Sequence, residues 1–125
     1  MLNDTLIFIG AAIITIWGIA HIVPTKSVVT GFGQISKDNK RIITMEWIAE
    51  GLTLCFIGLL VIFITVTGGT RNPVSLNVYR ASALMLVVMA ILTGFTGART
   101  SIVPIKICPA VKAVVAILFF LGTYL

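Results

Sequence analysis

The chain has 125 residues, 58% of them hydrophobic and only 10% charged, with a formal charge of +5. A soluble domain carries about a quarter charged residues, so this composition excludes an ordinary soluble fold and points to one integral membrane domain. Nucleic-acid binding is not expected either: the nine Lys and Arg are spread thinly beside apolar segments and form no single phosphate-binding face.

The first apolar segment covers about 6–23 and stops at Pro24. Its leading residues, MLNDT, hold an acid and no base, and no A-x-A site follows the apolar run, so a retained helix is expected in place of a signal peptide. A long connection follows, in which Val28, Val29, Phe32 and Ile35 recur at near-helical spacing. A short interfacial helix and an ordinary loop both remain open, since Gly31 and Gly33 weaken the helix. The second segment covers about 42–67, with Asp38 expected as its cap and Ser36 as the other candidate. The third covers about 76–95, after the turn-like Arg71-Asn72-Pro73. The fourth covers about 107–124, with Pro109 placed in its first turn, where a missing N–H is tolerated. Segments of this length cross a ~30 Å hydrocarbon core as helices, and only helices satisfy their own backbone groups in lipid. The expected fold is all-α, an up-down bundle of four transmembrane helices.

Charge sets the expected orientation. Lys26, Lys37, Lys40 and Arg41 lie between the first and second segments, and Arg99 and Lys106 between the third and fourth. The opposite side has only Arg71, with Asp4 near the N-terminus. Positive loops stay cytoplasmic, so both termini are expected outside, in a prokaryotic inner or plasma membrane. Cys55 and Cys108 fall at different depths and are expected as packed free thiols. Small residues (Gly51 and Gly58; Ala83, Ala90, Gly94 and Ala98; Ala110, Ala113 and Ala116) suit close helix packing within the chain, a homo-oligomer contact being the alternative. Met85 and Met89 read as core filler.

The informative stretch is RIITMEWIAEGL, residues 41–52. From the helical rise, Glu46 lies about 7 Å and Glu50 about 13 Å into the second helix, on a shared face. Intramembrane charges face the bundle interior and pair there. His21 on the first helix and Lys112 on the fourth come to a depth similar to that of Glu46, so a Glu46–Lys112 ion pair with His21 nearby is expected. Arg80 enters from the other end and is a candidate to reach toward Glu50; protonation of Glu50 is the alternative. Trp17, one turn before His21, and Trp47, beside Glu46, can wall an amphipathic pocket.

Three roles fit this cluster: an ion pair that ties the bundle together, a pocket for a polar headgroup or quinone ring, and proton-coupled transport through Glu50. One histidine plus Glu-x-x-x-Glu offers three ligands in principle, but the paired Glu-x-x-His pattern of di-iron bundles does not occur, and no metal is expected. No nucleophile–base, Walker, Rossmann or HExxH pattern is present, so no catalytic residue is expected.

A first helix ending in His21 and Pro24, a basic loop, and Arg41 to Gly51 opening a second helix resemble the DoxX-like group of small membrane proteins. The likeness covers about the first half of the chain. It implies a four-helix bundle and, for some members, a link to quinone or respiratory-chain chemistry. In size and span number the chain also resembles small multidrug transporters, but those place their essential glutamate in the first helix, which here has none. The expected function is therefore non-catalytic: an accessory subunit of a larger membrane complex, or a binder of a lipid-like or quinone-like molecule among the membrane lipids. The alternative is a proton-coupled small-molecule transporter using Glu50.

Overall fold

Apolar runs bounded by Pro, Gly and Ser become helices throughout a computed structural model that describes residues 1–125. The order is α1 (Leu2–Ile22), α2 (Thr25–Gly31), α3 (Lys37–Gly68), α4 (Pro73–Phe95), a single 3₁₀ turn (Gly97–Arg99) and α5 (Val103–Tyr124). Four of these helices, α1, α3, α5 and α4 with its 3₁₀ extension, are long and apolar enough to cross a membrane. The chain has no strand.

All four long helices begin earlier than the apolar pattern alone indicates, at Leu2, Lys37, Pro73 and Val103. Of the two candidate caps, Ser36 serves: its hydroxyl accepts the Asn39 N–H at 3.1 Å, and α3 starts at Lys37. Loss of this cap in Ser36→Ala is expected to cost about 1 kcal/mol, seen as faster amide exchange over residues 37–40. At α5, Pro104 sits in the first turn. Pro109 therefore does not; it lies inside the helix, where it supplies no N–H to the Ile105 carbonyl. The long connection resolves as the short helix α2, because Val29 buries against the bundle and is only 4% exposed.

α1 lies along both α3 and α5, α4 lies along α5, and α3 meets α4 only sparingly. Both termini and the α3–α4 turn gather at one end. There the Thr70 hydroxyl donates to Asp4 Oδ1 at 2.5 Å and Arg71 donates to the Leu125 carbonyl at 3.1 Å. The α1–α3 and α4–α5 connections, with the positive loops, form the other end. Ile7, Ile14, Leu54, Val61, Tyr79, Leu86, Val115 and Phe119 are fully buried between the helices. Tyr79 keeps its hydroxyl satisfied by sharing a 2.7 Å hydrogen bond with Thr65 Oγ1. Large apolar side chains such as Ile16, Leu52, Phe56, Phe63, Leu84, Phe95 and Ile117 point outward. An apolar surface of that extent is what a lipid-facing bundle presents.

Small residues set the helix spacing unevenly. At Gly58, a Cβ would come 2.0 Å from Thr15 Oγ1 and 2.7 Å from the Ala11 carbonyl, so α1 and α3 touch backbone to backbone. Ala83 and Ala116 are likewise in the core, whereas Gly94 has open space beside it and Ala110 is exposed. Cys55 and Cys108 are both free thiols.

Candidate functional site

Below the positive loops, four polar side chains converge from four helices. Lys112 of α5 is completely buried and donates to Glu50 Oε1 of α3 and, at 2.8 Å, to Thr93 Oγ1 of α4. Thr93 can accept because its own proton goes to the Met89 carbonyl one turn back, at 2.8 Å. The second carboxylate oxygen, Glu50 Oε2, lies 3.6 Å from His21 Nε2 of α1. The Glu50 side chain is 31% exposed, against 9% for His21 and none for Lys112. The carboxylate thus sits on a cavity wall while the ammonium it neutralises has no other outlet.

The expected Glu46–Lys112 pair is not formed; Lys112 pairs with Glu50, and Glu46 is exposed at the rim. The reason is one of register. Both α3 and α5 start before their expected boundaries, at Lys37 and Val103, so counting from the helix starts does not select the partner; the axial stagger of the packed helices sets Lys112 level with Glu50. Arg80 does not approach Glu50 either. It stands thirteen residues before Thr93 on α4, about 20 Å away along the axis. Its guanidinium lies over the Tyr124 ring at 5.4 Å, at the end where the termini gather.

The aromatic residues assemble as expected, but through partners that spacing does not reveal. The His21 imidazole stacks on Trp47 with ring centroids 4.0 Å apart and planes 16° from parallel. Trp47 Nε1 donates to the His21 carbonyl at 2.7 Å, which ties α3 to the end of α1. Trp17 Nε1 donates to Cys108 Sγ at 3.3 Å. These contacts leave His21 Nε2 buried without a hydrogen-bond partner.

Beside the His21–Trp47 stack lies a cavity of about 450 Å³, walled by Trp17, His21, Trp47, Cys108, Ile105 and Pro104, with Glu50 and Thr93 on one side and Ser27 and Val28 of α2 closing the end. It is a largely apolar chamber with a few convergent polar groups, the ordinary composition of a small-molecule site. A second cavity, about 440 Å³, opens in the sparse α3–α4 seam and is lined by Glu46, Met85, Met89, Leu92 and Lys112. Met85 and Met89 both border this cavity, but Met89 also packs against the core, as expected, whereas Met85 is largely exposed and does not fill it. Glu50 and Thr93 belong to both walls, so the Glu50–Lys112–Thr93 cluster is the partition between the two. Thr93 and Cys108 are the site residues that the sequence reading did not single out. A threonine at the depth of a lysine within an apolar segment is the signal that could have found the first. No group of three His, Cys, Asp or Glu side chains is close enough to hold a metal ion.

No family model, curated protein or solved structure matches this chain, so the site stands on its own geometry.

Proposed function

We propose that the protein is a multi-pass membrane protein, inserted with both termini outside, that binds a neutral lipid-like or quinone-like molecule in the Trp17–His21–Trp47 chamber. The observation that carries this reading is the apolar, aromatic-walled cavity lined by His21, whose Nε2 is buried beside it, 3.6 Å from Glu50 Oε2 and without a hydrogen-bond partner. An unpaired buried polar atom costs about 1–3 kcal/mol, which a ligand hydrogen bond would recover. The nitrogen suits either redox form of a quinone: as N–H it donates to a quinone carbonyl, and in the other tautomer it accepts from a quinol hydroxyl. Lys112 cancels the charge of Glu50, so the chamber favours a neutral occupant over an ionic one. Orientation rests on Lys26, Lys37, Lys40, Arg41, Arg99 and Lys106 at the loop end, against Arg71 and Asp4 at the other. The DoxX-like resemblance of the first half is in keeping with quinone chemistry, and an accessory role beside a respiratory complex would use such a site.

Both tryptophans of the chain line the cavity, so intrinsic fluorescence reports on it directly. Titration of a short-chain ubiquinone into nanodisc-embedded protein is expected to quench that fluorescence saturably. His21→Phe, which keeps the ring stack and removes Nε2, is expected to weaken binding about tenfold, the worth of one hydrogen bond in an apolar site. Linear, non-saturating quenching, or equal affinity in the variant, would refute the reading. Mass spectrometry of the natively purified protein separates the two roles: a retained small molecule on a lone chain supports the binder, and protein subunits at fixed stoichiometry support the accessory subunit.

Proton-coupled transport is the second reading, and one observation favours it: Glu50 faces cavities on two sides. Against it, the half of the bundle beyond Glu50 is filled by fully buried Leu54, Val61, Tyr79, Val115 and Phe119. Proteoliposomes that acidify on substrate addition with wild type but not with Glu50→Gln would favour transport over binding.

A further inference from the structure

A third cavity, about 440 Å³, lies apart from the aromatic chamber, where the end of α1 and the helix α2 meet the first turns of α3. Its apolar lining is Val23 and the buried Val29. Two ammonium groups border it, Lys26 from α2 and Lys40 from α3, and neither has a carboxylate within 4 Å. Two unpaired cations on separate helices, over an apolar lining at the end of the apolar spans, form a basic pocket at headgroup level. We infer that this cavity binds a phosphate group, brought there by an anionic phospholipid whose glycerol and upper acyl carbons rest on Val23 and Val29.

The hydroxyls around the cavity indicate how such a group is recognised. Thr25 donates to the Ile22 carbonyl at 2.5 Å, Thr30 to the Lys26 carbonyl at 2.8 Å and Thr44 to the Lys40 carbonyl at 2.7 Å. Their protons are committed to backbone carbonyls, so recognition falls on the two lysines. It reads charge and not headgroup shape, and it weakens with salt. α2 also closes one end of the aromatic chamber through Ser27 and Val28. A lipid phosphate bridging Lys26 to Lys40 therefore clamps that end against α3.

The inference rests on membrane insertion as proposed above. Alkaline carbonate that strips the protein from vesicles would sink the insertion itself; the following tests the pocket alone. Protein in phosphatidylcholine nanodiscs with a minor share of phosphatidylglycerol is released into native mass spectrometry, and the retained lipids are counted. Wild type is expected to retain phosphatidylglycerol preferentially. Lys26→Gln with Lys40→Gln is expected to lower that preference about thirtyfold, from the usual contribution of two lysines at a membrane surface. Lys26→Arg with Lys40→Arg should restore it. Lys37→Gln with Lys106→Gln removes the same charge outside the cavity and should leave it intact. Equal losses in both glutamine pairs would mean diffuse surface charge and overturn the site. In a second arm, inorganic phosphate is titrated into delipidated protein in detergent. Heat that disappears in the Lys26/Lys40 glutamine pair would identify free phosphate as a ligand of the same pocket, whereas none, with phosphatidylglycerol still retained, assigns the lipid. Failure of both arms overturns the inference. All four lysines are exposed, and unchanged far-UV circular dichroism is the expected check that every variant folds.

Discussion

Glu50→Leu is expected to destabilise the bundle by about 3–5 kcal/mol, the usual cost of stranding one member of a buried ion pair, and Lys112→Met by less. The asymmetry follows from exposure. Lys112 is fully buried, so without Glu50 its ammonium keeps only the neutral Thr93 hydroxyl. Glu50 is 31% exposed to the cavities, so without Lys112 its carboxylate can still be hydrated, at a cost of roughly 1–3 kcal/mol. The double variant Glu50→Leu, Lys112→Met removes both charges and is expected to be milder than Glu50→Leu alone. SDS-induced unfolding of the purified protein, followed by circular dichroism, ranks the three. A Lys112→Met loss equal to or greater than that of Glu50→Leu would show that the burial asymmetry does not govern the pair. Additive single losses would show that the two groups are not coupled.

The second large effect concerns the α1–α3 contact. Gly58→Leu is expected to cost about 3 kcal/mol or more, because even the first carbon of the side chain overlaps Thr15 Oγ1 and the Ala11 carbonyl. A threonine rotamer can change, but a helix carbonyl can yield only if α1 moves away, and that movement would open the core around Ile14 and Leu54. Gly94→Ala is the matched control. It has nothing within 4 Å of its Cβ position and lies within α4, so helix propensity should make it neutral or stabilising by up to about 1 kcal/mol. Thermal unfolding in detergent should lower the midpoint of Gly58→Leu strongly and leave Gly94→Ala at or above wild type. Similar midpoints for the two variants would contradict the close approach.

These two effects divide differently between sequence and structure. The bundle itself was readable in the chain. Apolar runs of span length leave backbone groups no partner in lipid but their own helix, and Pro24, Gly68-Gly69 and Pro73 mark where those runs stop. That His21 and a carboxylate of α3 come near one another, with Trp17 and Trp47 beside them, followed from helical periodicity, although the carboxylate is that of Glu50 and not of Glu46. What periodicity cannot carry is axial register. The apolar pattern locates neither the true starts of α3 and α5 nor their stagger, and that stagger is what sets Lys112 level with Glu50 instead of Glu46. Nor does a stripe of small residues say which neighbour it meets: Gly58 is pressed against α1, whereas Gly94 faces open space. Pairing in this protein is decided by how the helices are staggered and how closely their backbones approach. Both depend on steric fit between helices far apart in sequence, so only the tertiary structure could select Glu50 as the partner of Lys112 and Tyr124 as the neighbour of Arg80.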